Sequence, residues 1–225
     1  MPSFRPNTTL VPPRASKAPW VYDWLLYAWG YDLWCGLTKS RAHACALDMA
    51  GARPGESVLE MALGTGLLFA KLAGIQGLVR CAGLDLSKAM LSRARRRLSR
   101  QQSLRHSLCR GDARSLPFAS GAFDLIVNGY FMDLLSPGDI TLALKEFRRV
   151  LKPTGRLVLL VMANQGPVLQ AIWMWLYSHR PGLVGGCRPV NLSEYLVQGD
   201  WQIELCQVIS QLGFRSELIL ARPVC

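Results

Sequence analysis

The chain has 225 residues, half of them hydrophobic, which is enough to bury one sizeable core. Its formal charge of +11 favours an anionic partner, either a phospholipid surface or nucleic acid. The seven cysteines never occur as Cys-x-x-Cys, which argues against a zinc site, and no apolar run reaches the roughly 20 residues of a membrane span. We therefore expect one domain in the reducing cytoplasm.

The amino-terminal region divides into an arm and two helices. Residues 1–17 are basic and rich in proline, so we expect a disordered basic arm, followed by a single domain over 18–225. The aromatic stretch APWVYDWLLYAWGYDLWCG predicts one helix, and Arg41 to Ala50 predicts a second helix that ends at Gly51.

Short apolar runs then alternate with helical patterns. The predicted strands are SVLEMA, VRCAGLD, FDLIVNG and RLVLLVMA, and helices are predicted from Thr65 to Leu72, Ser87 to Arg100 and Asp139 to Leu151. After a further predicted helix, the chain turns at Gly213 and ends in a strand from Phe214 to Leu220. Alternating strands and helices predict an α/β fold with a parallel sheet that helices cover on both faces.

The first of these strands ends in the stretch VLEMALGTG. Gly64 and Gly66 allow a tight turn and the close approach of a ligand, and the helix that follows presents free N–H groups. Asp85 ends the next strand about twenty residues later, where a carboxylate can accept both hydroxyl protons of a ribose, and Asp112 comes near a third strand end. Together these groups could hold a nucleoside, although each acid could instead cap a helix or form a turn.

Four segments resemble, in order and spacing, the class I S-adenosylmethionine-dependent methyltransferases: VLEMALGTG, GLDLSKAMLSRARRRL, GDARSLPFASGAFDLIVNGY and EFRRVLKPTGRLVLL. The resemblance covers roughly residues 22–163. Two features resemble the ubiquinone and menaquinone C-methyltransferases. Position 62 has alanine where most of the family has glycine, and residues 31–34 read YDLW. YDLW also resembles the bacterial phosphatidylethanolamine N-methyltransferases.

This resemblance implies a Rossmann-like, doubly wound, mostly parallel sheet of seven strands with a terminal antiparallel strand, and S-adenosylmethionine as the cofactor. It also implies a set of cofactor-binding residues. Glu60 would act at the methionine amino end, Asp85 on the ribose, and Asp112 on the adenine amine. The full set is Tyr31, Glu60, Ala62, Gly64, Thr65, Gly66, Asp85, Leu86, Met90, Asp112, Ala113, Asn128 and Gly129.

Methyl transfer requires little protein chemistry beyond aligning the acceptor and excluding water. A general base is needed only when the acceptor is a phenol or a carbon acid. Tyr130, Asp133 and His179 are the candidates for handling a proton, each with packing or surface exposure as the alternative role. No compact set of Asp, Glu and His suggests a metal.

Two aromatic-rich segments and the arginines bear on the acceptor. A substrate-lid insertion is expected at about 164–198, and its stretch Val168 to Tyr177 is apolar nearly all round. This stretch and the aromatic stretch before Gly36 pack into the core or meet a lipid surface. The arginine-rich helix that begins at Ser87 presents either a solvated face, opposite a buried stripe of Leu86, Met90, Ala94 and Leu98, or an anion-binding surface.

The predicted function is methyl transfer to a small hydrophobic acceptor, such as a quinone precursor, a lipid or a phenolic natural product, at an anionic membrane surface or in the cytoplasm. The alternatives are phospholipid amine N-methylation, RNA methylation and a non-catalytic cofactor-binding protein. RNA methylation is disfavoured because the Asn/Asp-Pro-Pro-aromatic signature is absent. The leucine-arginine-asparagine signature of the quinone branch is replaced here by Met132, Asp133 and Leu134, which weakens quinone specificity.

Overall fold

The computed structural model describes residues 25–99, 106–180 and 186–224, and for residues 25–31 and 34 it describes the backbone alone. The predicted arm over 1–17 lies outside the described residues. The helices are α1 Leu25–Ala50, α2 Leu67–Ala73, α3 Lys88–Leu98, α4 Pro137–Val150, α5 Pro167–His179 and α6 Leu192–Gln198. The strands are β1 Ser57–Met61, β2 Arg80–Asp85, β3 His106–Arg110, β4 Phe123–Gly129, β5 Leu151–Met162, β6 Trp201–Gln211 and β7 Phe214–Pro223.

The seven described strands form one sheet in the order β3-β2-β1-β4-β5-β7-β6. Strands β1 to β5 pair in parallel, and β7 lies antiparallel to both β5 and β6. The chain order reverses between β1 and β4, so the strand ends there form the crevice in which such sheets bind ligands. The predicted doubly wound fold with an antiparallel terminal strand is confirmed.

Helices cover both faces of this sheet, and each face has its own hydrophobic core. On one face, α4 contributes Ile140 and Phe147 to a cluster that also contains Ile126 of β4. On the other face, Phe69 of α2 and Leu125 of β4 belong to a second cluster, with small residues of α1. Successive β4 residues thus enter opposite cores, which explains why this strand is apolar throughout rather than alternating.

The prediction of two separate helices before Gly51 is wrong, because α1 runs unbroken from Leu25 to Ala50. Gly36 lies within this helix, and a Cβ built at Gly36 would meet no atom within 4 Å. The side chain of Gln211 donates to the Leu37 carbonyl at 2.6 Å and accepts from the Arg41 N–H at 2.8 Å. In a regular helix the Arg41 N–H donates to the Leu37 carbonyl. Because Gln211 bonds to both of these groups, it supports the turn just after Gly36, where the sequence predicted a break between two helices.

The arginine-rich helix α3 begins after Ser87, whose side chain caps the helix by accepting from the Met90 N–H at 3.3 Å. Its buried stripe consists of Met90, Leu91, Ala94 and Leu98. Leu86 was predicted in this stripe, and that prediction is wrong: Leu86 precedes the cap and is 45% exposed. Arg95 and Arg96 are exposed on the opposite face.

The carboxyl-terminal region contains one more strand than predicted. The predicted helix is limited to α6, and the residues before Gly213 form the edge strand β6. Leu212 and Gly213 join β6 to β7, and both have positive φ, at 48° and 80°. Two such residues make the turn that matches the twist of a tight hairpin, so the chain reverses there without a longer loop.

The predicted lid region contains α5, which follows β5, and α6. None of the α5 residues is buried, and Val168, Ile172 and Trp175 are 73%, 52% and 58% exposed. Trp173 packs against the core beside Phe214, whereas the face with Val168, Ile172 and Trp175 stays exposed, so the helix as a whole is not a core helix. Within the ranges that the structure describes, no helix is long and apolar enough to cross a bilayer.

Candidate functional site

The loop from Ala62 to Gly66 connects β1 to α2 at the crevice. It requires left-handed backbone at three positions, with φ of 52° at Ala62, 57° at Gly64 and 77° at Gly66. A Cβ built at Gly64 would meet no atom within 4 Å, whereas one at Gly66 would lie 3.0 Å from the Ala94 Cβ. Gly66 therefore allows α3 to pack closely, and Gly64 leaves bare backbone beside open space.

Asp85 ends β2 and faces this loop. Its Oδ2 accepts from the Gly64 N–H at 2.8 Å, and its Oδ1 accepts from the Ser87 N–H at 2.8 Å. These two bonds fix the carboxylate plane while each oxygen keeps further acceptor capacity. Burial raises the pKa of Asp85, and the backbone donors Ser87, Gly64 and Leu86 oppose that rise.

Glu60, on β1, is a second carboxylate near Asp85. It is buried, and its Oε2 has no hydrogen-bond partner among the described residues. Burial, and then the charge of Asp85, raise the pKa of Glu60 well above its usual range. A buried carboxylate oxygen without a partner is rare in native proteins, so this position fits a ligand that brings a donor or a positive charge. We call Glu60, Asp85 and the loop 62–66 the nucleoside groove.

Asp112 follows β3 and lies beside the groove, because β3 pairs with β2 in a register that sets Arg110 opposite Asp85. Its carboxylate accepts from the side chain of Arg114, which also pairs with Asp139. The pKa of Asp112 is lowered chiefly by the Arg114 hydrogen bond. Asp112 is thus near the predicted position, and an arginine already occupies part of its acceptor capacity.

The other predicted cofactor-binding residues border the same strand ends. Ala113 and Met90 are buried, whereas Leu86 exposes an apolar surface directly after Asp85. Asn128 lies next to Gly129, the last residue of β4, and its Nδ2 donates to the Met61 carbonyl at 2.9 Å, which connects β4 to the start of the loop. Its Oδ1 has no partner in the described part of the chain.

Helix α1 contacts the groove on one side through Asp32, a residue of the YDLW stretch to which the sequence analysis assigned no role. Asp32 Oδ1 accepts from the Thr65 hydroxyl at 2.6 Å, and Oδ2 accepts from Arg97 of α3. One carboxylate therefore joins three elements around the loop. Tyr31 precedes Asp32 in α1, and its side chain lies outside those that the structure describes.

A second group of polar side chains is buried beyond the ends of β4 and β5. Lys39 of α1, Tyr130 after β4, Asp133 in the one-turn 3₁₀ helix Met132–Leu134 and Arg188 of the predicted lid region are 5%, 6%, 1% and 6% exposed. We call these four residues the buried polar cluster. Of the three residues predicted to handle a proton, the structure brings Tyr130 and Asp133 together here. Lys39 and Arg188 were missed, because the sequence alone does not show which charges of a helix or a loop turn inward.

His179, the third proton-handling candidate, lies elsewhere. It ends α5, is exposed, and stacks on Trp175 with ring centroids 4.9 Å apart. Its Nδ1 is 2.9 Å from the Trp175 carbonyl. In the described residues no group of three or more His, Cys, Asp and Glu side chains is arranged to hold a metal ion.

Comparison with known proteins relates the chain to methyltransferases. A family model described as "Methyltransferase domain" matches residues 58–155. The demethylmenaquinone methyltransferase of Lactiplantibacillus plantarum is 36% identical over 141 residues, 61% of this chain and 59% of that protein. The ubiquinone/menaquinone biosynthesis C-methyltransferase of Paraburkholderia xenovorans is 35% identical over 168 residues, 71% of this chain and 66% of that protein. The chain thus spans about three fifths to two thirds of the length of these curated relatives.

Solved structures share the fold. The magnesium protoporphyrin IX methyltransferase of Synechocystis, determined with bound SAH, aligns with a TM-score of 0.63 and 16% identity over 81% of this chain and 80% of that one. At this identity the likeness concerns the fold alone.

Proposed function

The chain belongs to the class I S-adenosylmethionine-dependent methyltransferases, and from this membership we propose that it transfers the methyl group of S-adenosylmethionine to a quinone precursor. The observation that carries the proposal is the nucleoside groove, in which a bare glycine loop faces two buried carboxylates. When bound, the cofactor supplies an electrophilic methyl group on a positively charged sulfur.

The residues of the groove fit that cofactor. The unpartnered Oε2 of Glu60 would accept from the methionine ammonium, and Asp85, held by two backbone N–H groups, would accept the ribose hydroxyls. Gly64 would lie against the cofactor backbone, and the exposed apolar surface of Leu86 against the adenine. The protein then acts by positioning an acceptor and excluding water, which are large effects for a reaction of two bound molecules.

A prenylated quinol is the acceptor that the comparisons favour. The names of both curated relatives described above refer to quinones, and a third relative, of Synechococcus elongatus, is named 2-phytyl-1,4-naphtoquinone methyltransferase. The exposed apolar surface of α5, in the lid region, suits a long hydrocarbon chain. Phospholipid amine methylation is the second candidate, because the same apolar helix would also suit a lipid acceptor.

Incubation with labelled S-adenosylmethionine tests this function. The unmodified protein, supplied with bacterial quinone extract, phospholipid extract and total RNA in separate reactions, is expected to label the quinone fraction. Asp85→Ala is expected to abolish the labelling and to weaken cofactor binding in calorimetry. Label in phospholipid would support the amine alternative, label in RNA alone would contradict a hydrophobic acceptor, and cofactor binding without label would indicate a non-catalytic protein.

Attachment to an anionic bilayer through α5 accompanies this proposal. Val168, Ile172 and Trp175 expose apolar surface on one helix, and no Asp or Glu occurs between Glu146 and Glu194. A helix with an exposed apolar face lies in the headgroup region, and each nearby cation adds about 1 kcal/mol on an anionic surface.

Co-sedimentation with vesicles tests the attachment. We expect the protein to bind vesicles that contain phosphatidylglycerol, and Ile172→Asp with Trp175→Asp to reduce binding at least about tenfold, since burying a charge in the interface costs more than 1.4 kcal/mol. Leu142→Asp is the matched control, because Leu142 is 50% exposed on α4. Equal loss in the control, or unchanged binding in the double variant, would contradict a role for α5.

A further inference from the structure

The buried polar cluster contains a carboxylate oxygen that the protein itself does not satisfy. Asp133 Oδ2 accepts from the Met162 N–H at 2.9 Å, whereas Oδ1 has no hydrogen-bond partner among the described residues. Arg188, from the lid, donates instead to the Leu135 carbonyl through Nη2 at 2.9 Å. A fully buried Oδ1 without a donor indicates a position at which a bound molecule brings its own proton.

Lys39 brings a positive charge to the same place. Its Nζ lies 3.9 Å from the centroid of the Tyr130 ring and 5.5 Å from that of Phe214. Aromatic faces attract a cation and cover it from water, so the ammonium is held in an apolar setting where its charge acts strongly. Tyr130 has little proton chemistry of its own, because its hydroxyl is 2.6 Å from Ser216 Oγ and burial raises its pKa.

The cluster directly adjoins the nucleoside groove. Tyr130 follows Asn128 and Gly129 at the end of β4, and Asn128 donates to the Met61 carbonyl at the start of the glycine loop. On the opposite side, Trp173 of α5 has its ring centroid 6.1 Å from that of Phe214, whose ring lies 5.5 Å from the Lys39 Nζ, so α5 borders the cluster. An acceptor between the groove and the lid would therefore meet Asp133 and Lys39.

We propose that Asp133 is the general base for the acceptor and that Lys39 holds the resulting oxyanion, so that the acceptor carries an acidic aromatic hydroxyl and not an amine. This inference rests on the proposed methyl transfer. It assigns to Lys39 a role that neither the sequence motifs nor the relatives indicate, and it distinguishes a quinol from a phospholipid amine, which a buried ammonium would repel.

The reaction balances with these groups alone. Asp133 Oδ1 takes the proton of the acceptor hydroxyl, and the electron pair of the O–H bond stays on the acceptor oxygen beside Lys39. This oxygen, or the ring carbon conjugated with it, forms the new bond to the methyl carbon while the carbon–sulfur bond breaks and its pair goes to sulfur. If carbon is methylated, Asp133 returns its proton to the acceptor oxygen, and its carboxylate then takes the proton that the ring carbon loses and releases it to water. One proton is released in either case.

The ionisation of Asp133 suits this role. Burial raises its pKa to about 6, the Met162 N–H, Lys39 and the backbone N–H of Asp133 itself oppose this rise, and Arg188 opposes it more weakly. Tyr130 and Cys187 also face Asp133, and burial raises the pKa of each, so both are neutral near pH 7. Asp133 is therefore mostly ionised at neutral pH and becomes protonated as the pH falls through about 6.

Binding of a chromophoric phenol tests the pair without requiring activity. With SAH present, 4-nitro-1-naphthol is expected to bind as the anion, and its apparent pKa, read from its absorbance, is expected to fall by about one unit. Lys39→Met should abolish this fall, Lys39→Arg should retain most of it, and Lys145→Met, an exposed lysine of α4, should leave it unchanged. An unshifted chromophore with the unmodified protein, or an equal shift in Lys39→Met, would overturn the inference.

The rate of methyl transfer to a prenylated naphthoquinol is the second readout. We expect Lys39→Met and Asp133→Asn each to lower the rate about 100-fold while the affinity for SAH stays within threefold. Lys39→Met should also move the acid limb of the pH profile to higher pH. Unchanged rates and profiles would contradict the inference, whereas an intact chromophore shift with no methyl transfer by the unmodified protein would contradict the proposed function instead.

Discussion

The nucleoside groove and the buried polar cluster lie at neighbouring strand ends of one sheet, and they are built in opposite ways. The groove consists of main-chain groups and two carboxylates from residues 60–85, and Asp32 of α1 adds one further hydrogen bond to the loop. The cluster contains side chains from α1, from the residues after β4 and from the predicted lid region, between positions 39 and 188. The first holds one molecule by short-range backbone geometry, and the second depends on how distant elements pack.

Their electrostatics differ as well. Glu60 and Asp85 place two acids together in the groove, and the pKa of each is raised by burial first. In the cluster, Lys39 and Arg188 accompany a single acid, Asp133. The groove therefore suits a ligand that brings positive charge, and the cluster suits one that becomes negative. This separation of charge between the groove and the cluster would suit a positively charged methyl donor beside an acidic acceptor.

The largest expected effect is on the groove. Gly64→Ala should weaken SAH binding about 100-fold in calorimetry, because the methyl group enters the open side of the loop and alanine resists the left-handed backbone at φ 57°. Gly121→Ala is the matched control, since Gly121 has φ 64° and the same open surroundings but precedes β4. Equal losses of affinity in both variants would contradict a ligand at Gly64.

Glu60→Gln should weaken SAH binding about tenfold at pH 8, since a charge-assisted hydrogen bond becomes a neutral one. The raised pKa of Glu60 also predicts a pH dependence. A ligand ammonium favours the ionised carboxylate, so binding releases a proton from the unmodified protein and tightens as the pH rises. Calorimetry in two buffers of different ionisation enthalpy measures this release, and Glu60→Gln should suppress it. An identical proton release in the variant would exclude Glu60 as the ammonium partner.

The same contrast explains what could be predicted from the sequence. The strand β4 and the positions of Asp85 and Gly64 follow from local pattern and spacing, because backbone geometry and strand order determine the groove. The cluster could not be found in this way: Lys39 lies in a helix whose exposed and buried polar residues look alike in sequence. The division of α1 at Gly36 failed for a related reason, because Gln211, 175 residues later, supports that turn.

Asp133→Asn should stabilise the protein at high pH. The pKa of Asp133 is raised from 3.8 to about 6, so the folded state binds this proton more tightly than the unfolded state. The stability contributed by the neutral acid is fully present below pH 4 and is lost as the pH rises through 6. An amide imitates the neutral acid and can still accept from the Met162 N–H. Two pKa units correspond to about 2–3 kcal/mol in the free energy of unfolding.

Denaturant unfolding at several pH values measures this difference. The variant and the unmodified protein should be about equally stable near pH 4, and the variant should become the more stable of the two between about pH 4 and 6. Asp48→Asn is a suitable control, because Asp48 is exposed on the same helix as Lys39. A variant that is destabilised at every pH would show instead that Lys39 requires the charge of Asp133 for folding.

The smallest expected effect is that of Ala62→Gly, which tests whether backbone strain at this position is needed for the shape of the groove. Ala62 has φ 52°, a left-handed conformation that costs a residue with a Cβ about 1–2 kcal/mol. Ala62→Gly removes this strain but gives the unfolded chain more freedom, so the net gain in the free energy of unfolding should be about 0.5–1 kcal/mol. Leu212→Gly is the matched control, because Leu212 has φ 48° and is 77% exposed in the distant β6–β7 turn. If strain alone matters, both variants should gain stability, and the affinity of each for SAH should stay within about threefold because the shape of the loop is unchanged. A loss of affinity confined to Ala62→Gly would mean that the Cβ of Ala62 helps to hold the groove in its binding conformation.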